Sequence, residues 1–236
     1  LKTLEEKNAP EDQLEEICKK YWNNSGVRRY YIDRYFEKKE YDRVLQVLDE
    51  SIELDKAYRG QVLEYNQKKK EIYRLQGNKS AYIEQLWKLV LEQSAGDLDI
   101  YKELKAQYSE KEWLIKREEL FKKLPANAHI DRLYKEEKLY DRLLAYVLKS
   151  SGLYAVQSYE NVLKKEYPKQ ILSKYQDEVN KMASCTGNRK HYADLVALLR
   201  RMKQIKGGSE IVETIVEEWK IKYRNRPAMM DELSKL

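Results

Sequence analysis

Gly187-Asn188-Arg189-Lys190-His191-Tyr192-Ala193-Asp194-Leu195-Val196-Ala197-Leu198-Leu199 reads as a helix stop, a helix start and an amphipathic helix in succession. The glycine can close a preceding helix in the left-handed conformation, and Asn188 can cap the next one. Tyr192 is followed by Leu195, Val196 and Leu199. Offsets of three, four and seven place such side chains on one helical face. Tyr41 with Val44, Leu45 and Leu48 repeats the pattern, as does Tyr140 with Leu143, Leu144 and Val147. Tyr82 with Gln85, Leu86 and Leu89 repeats it with the first apolar place lost, after a matching entrance at Gly77-Asn78-Lys79. A shared glycine turn and a leading Tyr predict degenerate helical hairpins of irregular length.

Outward from that stretch, start and stop signals divide the chain into about a dozen helices. Asn8 caps a first helix with Pro10 in its opening turn, and Asn23-Asn24-Ser25-Gly26 stops it. Helices are expected from about 40 to 54 and 57 to 75, then one opened by Asn78 or Ser80 that runs to Ser94, with Asp97 capping a short one. Ser109 with Glu112 forms a capping box, Pro125 ends that helix, and Asn127 opens the next. Gly207-Gly208 stops a helix and Ser209 caps its successor. Gly and Pro number only 8 and 4, and the Asn-Gly and Asp-Gly hairpin dipeptides are absent. The fold class is therefore all-α: stacked antiparallel hairpins in an irregular α-α superhelix of solenoid type. The chain reads as one elongated helical-repeat region over 1–236, with a sub-boundary near 125. Beginning at Leu1, it reads as part of a longer protein. The 20 Tyr against 2 Phe suit shallow, half-wet cores, because Tyr joins a large apolar ring to a polar tip.

Composition excludes several classes. No apolar run approaches the ~20 residues of a membrane span, so no membrane partner is expected. Cys18 and Cys185 form no disulfide framework, and a reducing, cytoplasmic setting is expected. Asn23-Asn24-Ser25 and Asn78-Lys79-Ser80 match the glycosylation acceptor, a pattern short enough to arise by chance. Zinc needs about four converging ligands, and His129, His191, Cys18 and Cys185 have no metal-ligand spacing. Both His read as surface or capping residues, and both Cys as small apolar groups. The Glu-Glu pairs, such as Glu118-Glu119 and Glu217-Glu218, diverge around a helix axis and make no acid-base dyad. No nucleophile elbow or phosphate loop occurs. No catalytic residue, metal or cofactor is expected, and the chain reads as a non-enzyme.

Two sets of residues stand as binding candidates. Tyr30, Tyr31 and Tyr35 with Arg28, Arg29 and Arg34 have the aromatic-plus-arginine composition of interface hot spots. Tyr31 and Tyr35, four apart, read as inward packing, which leaves Arg28, Tyr30 and Arg34 as partner contacts. The net charge of +6 lies wholly in residues 164–236, with 16 Lys and Arg against 10 Asp and Glu. Arg200, Arg201, Lys203, Lys220 and Lys222 are the phosphate-binding candidates there, beside Trp219 and Tyr223. Such residues also belong at helix C-termini, where they oppose the dipole, and Glu210, Glu213, Glu217 and Glu218 dilute the surface.

The hairpin pattern resembles the tetratricopeptide-type class of α-solenoids, although no single stretch carries that family's full series of small and aromatic positions. His191-Tyr192-Ala193-Asp194-Leu195, Leu198-Leu199-Arg200-Arg201-Met202 and Arg226-Pro227-Ala228-Met229-Met230-Asp231-Glu232-Leu233 resemble the helical tail of bacterial proteins with a SWIM zinc finger. This resemblance covers roughly the last fifth of the chain. It implies the helical part of such a protein and transfers no zinc-ligand role, since the Cys and His cluster is absent.

The expected function is a protein–protein interaction scaffold that holds a protein or peptide on a groove. The alternative is a nucleic-acid-associated helical domain using the basic C-terminal third. A third reading is a dimerising coiled coil through the long helix with Val62, Tyr65, Ile72 and Leu75, interrupted by Lys69.

Overall fold

The computed structural model describes residues 10–236. Among these the chain forms 14 α-helices and one π-helical turn, with no strand. The expected cap at Asn8 lies outside the described residues. The chain divides into two compact units, Leu1–Leu133 and Tyr134–Leu236.

The first unit carries α1 (Glu11–Lys20), α2 (Ser25–Glu37), α3 (Tyr41–Leu54), α4 (Arg59–Leu75) and α5 (Lys79–Lys88). A π turn (Leu89–Gln93) continues α5, and α6 (Leu98–Lys105) and α7 (Glu110–Lys123) follow. Helix α8 (Ile130–Glu136) contains the division between the units. The second unit carries α9 (Tyr140–Lys149), α10 (Tyr154–Leu163), α11 (Pro168–Ser184), α12 (Arg189–Lys203), α13 (Gly208–Lys222) and α14 (Pro227–Leu233). Within each unit most successive helices stack as antiparallel neighbours across short connections, whereas α14 packs chiefly on α12.

The repeated stripes are the core. Val44 and Leu48, Leu86 and Leu89, Leu143 and Val147, and Leu195 and Leu199 are all buried. The lost apolar place at Gln85 is also buried, but satisfied: its amide donates to the Asn66 backbone carbonyl at 3.1 Å and to Asn66 Oδ1 at 2.9 Å. The paired helix entrances work by different means. Asn78 and Asn188 both cap, accepting from the backbone N–H of Ala81 at 3.2 Å and of His191 at 3.0 Å. Gly77 is left-handed at φ +68, as expected. Gly187 is not left-handed; a Cβ there would meet the His191 ring at 2.4 Å, so close approach excludes any larger residue.

Other local expectations shift. The Ser109–Glu112 capping box and the Asp97 cap form. Helix α8 opens at Ile130, three residues beyond Asn127. Gly207 at φ +83 takes the cap position before α13, so Ser209 lies inside the first turn and caps nothing. The coiled-coil seam is internal to the first unit except at Leu75, which is exposed. Val62, Tyr65 and Ile72 are buried in its core, and Lys69 is buried with its ammonium 2.5 Å from Asp49. Those side chains are unavailable to a second helix.

Four core tyrosines place the hydroxyl on a carboxylate of a neighbouring element, whereas the Tyr192 hydroxyl accepts from the Gly187 backbone N–H at 3.2 Å. Tyr35 donates to Glu15 at 2.7 Å, Tyr65 to Asp55 at 2.7 Å and Tyr175 to Glu160 at 2.5 Å. Tyr82 donates to Glu103 in the same way. A hydrogen bond of this kind offsets the cost of burying a hydroxyl.

Candidate functional site

Helices α10, α11 and α12 form a groove of about 590 Å³ on the second unit. Leu153, Met182, Ala197 and Leu198 line it with apolar surface, and Glu178, Asp194 and Arg201 add charge. On α12, Asp194, Ala197, Leu198 and Arg201 follow the three-four-seven spacing. They run two residues out of phase with the core stripe of Tyr192, Leu195, Val196 and Leu199. One helix thus buries one stripe and presents a second. That second stripe was present in the sequence, but its partners on α11, on α10 and in the loop before α10 lie up to 49 positions away and become visible only with the topology.

The groove walls are tied. Lys174 donates to the Ser150 carbonyl at 2.6 Å and to Glu178 at 3.1 Å. Glu178 also accepts from the Gly152 backbone N–H at 3.2 Å, which anchors the α9–α10 loop to α11. Arg201 donates to Glu160 at 2.8 Å and to the Gln157 carbonyl at 3.1 Å. The hydrogen bond to Glu160 raises the Arg201 pKa, against burial. Glu160 is buried and also holds the Tyr175 hydroxyl, whose own pKa is pushed up by burial and by that carboxylate. Glu178 and Arg201 therefore carry their counter-charges with them. Asp194, exposed on the groove, has no ion-pair partner among the described residues. The site is an apolar floor with one open carboxylate.

The partner candidates in α2 are mostly internal. Arg28 is fully buried: it donates to Ser51 at 3.1 Å, to the Trp22 carbonyl at 2.7 Å and to Asp55 at 2.5 Å. It cannot touch a partner, contrary to the expectation from composition. Arg34 is 18% exposed and lies 3.9 Å from Glu11, and Tyr30 is half-buried. The aromatic-plus-arginine signal instead marks an internal stack. The Arg43 guanidinium lies 3.7 Å from the Tyr35 ring centre and donates to Glu15 and to the Tyr31 hydroxyl, each at 2.5 Å.

The phosphate candidates do not make one surface. Arg200, Arg201 and Lys203 end α12, whereas Lys220 and Lys222 end α13, its antiparallel neighbour. A helix of 15 residues separates the two ends by about 22 Å. Arg201 is held by Glu160, and Arg200 donates to the Lys235 carbonyl at 2.6 Å. Other basic residues of this tail are also engaged. Arg189 reaches Asp231 at 2.6 Å and Glu232 at 3.3 Å. Arg226 donates to the Ala183 carbonyl at 2.8 Å and the Cys185 carbonyl at 3.3 Å, closing the end of α11. Lys220 and Lys222 are exposed, among the exposed Glu213, Glu217 and Glu218. Much of the positive charge is thus structural.

Among the described residues, no group of three or more His, Cys, Asp or Glu is placed to hold a metal ion. No described helix is long and apolar enough to cross a membrane. No known protein family, curated protein or solved structure matches the chain.

Proposed function

We propose that this chain is a non-catalytic protein–protein interaction scaffold of helical-repeat type, and that the α10–α12 groove is where it holds a partner. The observation that carries this reading is the groove's composition: Leu153, Met182, Ala197 and Leu198 over a rigid frame, with Asp194 open at its edge. Such a floor accepts the apolar face of an amphipathic helix, and methionine adapts its contact to the guest. The open carboxylate favours a guest with Lys or Arg beside its apolar face. The tetratricopeptide-like and SWIM-associated resemblances belong to the same proposal and agree with a helical adaptor. The competing reading, a nucleic-acid-associated domain, is weakened by the division of the basic residues between two helix ends.

The test is a peptide-display selection on the purified chain, followed by titration of the selected peptides. Selected sequences are expected to be amphipathic and basic. Leu198→Glu is expected to reduce their affinity by about tenfold or more, since it places a charge on the apolar floor. Peptides that bind Leu198→Glu and wild type equally would sink the groove assignment. In parallel, a fluorescent single strand and duplex are titrated across salt. Binding that survives about 0.15 M salt and is lost in Lys220→Gln with Lys222→Gln would replace the scaffold with the nucleic-acid reading.

A further inference from the structure

The first unit contains a cleft of about 540 Å³ beside the π turn. Arg59, Glu92, Asp97, His129 and Arg132 line it. Five arginines of this unit pair with carboxylates: Arg28 with Asp55, Arg29 with Glu64, Arg34 with Glu11, Arg43 with Glu15 and Arg117 with Glu118. Arg59 and Arg132 are exposed, and no carboxylate among the described residues pairs with either. Asp97 is occupied, because its Oδ1 accepts from the backbone N–H groups of Asp99 and Ile100, both at 3.0 Å. Glu92 is therefore the one acid of the cleft with neither oxygen engaged among the described residues, while Asp97 keeps its charge, so two carboxylates face two guanidinium groups.

The backbone around these cations is unusual and tightly held. The Ser94 N–H donates to the Leu89 carbonyl at 2.8 Å, and the Gly96 N–H to the Val90 carbonyl at 3.0 Å, which widens the end of α5. Turns of this π type concentrate at functional sites. Gly96 is left-handed at φ +76, and a Cβ there would stand 2.9 Å from the His129 backbone nitrogen. The Ser94–Asp97 loop therefore rests directly on the turn that leads to His129 and Arg132. Arg59 begins α4 and Arg132 lies in α8, so both cations stand on helices.

We propose that this cleft binds an oxyanion, the phosphate monoester or carboxylate group of a ligand, through Arg59 and Arg132. Guanidinium groups match both anions with two parallel hydrogen bonds. The cleft volume falls within the ~300–1,000 Å³ of small-ligand sites. Glu92 sets a limit on charge: it repels an anion, and so its removal strengthens binding. This proposal stands apart from the α10–α12 groove and survives that groove's failure.

Calorimetric titration of the whole chain tests it, with inorganic phosphate in one arm and glutarate in the other, at about 0.15 M salt. Saturable binding of at least one probe is expected. Arg59→Gln and Arg132→Gln are each expected to weaken it by about tenfold or more, and Glu92→Gln to tighten it. Lys220→Gln, in the other unit, is expected to leave it unchanged. Stronger binding of phosphate assigns the site to phosphate monoesters, and stronger binding of glutarate assigns it to carboxylates. Both arginines are exposed and unpaired, so their substitution leaves the fold intact. The proposal is overturned if neither probe saturates, or if the Arg59→Gln, Arg132→Gln double variant binds as the wild type does.

Discussion

Arg28 and Arg29 are neighbours in sequence with opposite fates. Arg28 is sealed in the first unit against Asp55, Ser51 and the Trp22 carbonyl, while the Arg29–Glu64 pair at 2.8 Å stays about half exposed. Removing one partner of a buried pair leaves the other charge without water or counter-ion. Arg28→Ala is therefore expected to lower stability by about 3–5 kcal/mol, read as the shift in a urea unfolding curve. Arg29→Ala is expected to cost about 1 kcal/mol or less, because solvent already screens its pair. Equal losses in the two variants would contradict this assignment. Composition points to a recognition surface at Arg28, because arginine is seldom buried. The features that bury Arg28 lie 23 and 27 positions further on, at Ser51 and Asp55, and no local pattern announces them.

Helices in this chain are joined by tyrosine hydroxyls on carboxylates as well as by apolar stripes. The Glu15 pKa is lowered by hydrogen bonds from Tyr35 and Arg43, against burial. Burial raises the Glu103 pKa, but hydrogen bonds from Lys70 and Tyr82 outweigh it, and the net shift is downward. The opposite shift falls on the tyrosines: burial and the Glu103 carboxylate push Tyr82 up to about 12, and burial with Glu15 raises Tyr35. A lowered carboxylate pKa gives stability that is present above the ordinary value of 4.5 and lost as pH falls through the folded one. A raised tyrosine pKa gives stability that is complete below the ordinary value of 10.0 and lost as pH rises toward about 12. Thermal midpoints measured across pH are therefore expected to fall below about pH 4.5 and again above about pH 10. Tyr82→Phe is expected to reduce the alkaline fall and to cost about 1–2 kcal/mol at neutral pH. A flat profile from pH 8 to 11 would refute the role of these hydroxyls. The helices themselves were legible, because three-four-seven stripes and Asn, Asp and Ser caps are local. The π turn at Leu89–Gln93 was not, since Ser94 and Gly96 reach back five and six residues without any distinguishing residue type.

Each compact unit has a core of its own. The second is built around Tyr175, Leu199, Val212 and Trp219, all buried, and the first contains two clusters centred on Leu48 and Leu104. A unit with its own core can fold alone. A fragment covering residues 130–236, which keeps α8 whole, is expected to unfold cooperatively in urea and to bind the same selected peptides as the full chain. A non-cooperative transition would show that the second core is insufficient by itself. At this scale the sequence conveyed the all-α class and the stacking of neighbours. It did not convey the groove, because Leu153 at the cap of α10, Met182 on α11 and Leu198 on α12 are unremarkable one by one. It also suggested a basic face that the antiparallel course of α12 and α13 divides.

Cys18 is buried, with its thiol pKa raised by burial, while Cys185 is exposed at the end of α11. A maleimide dye at neutral pH would therefore attach at one place, three residues beyond the groove methionine Met182. The protein carries its own attachment point for a fluorescent reporter, and a guest entering the groove would announce itself as a change in colour or polarisation without any engineered cysteine.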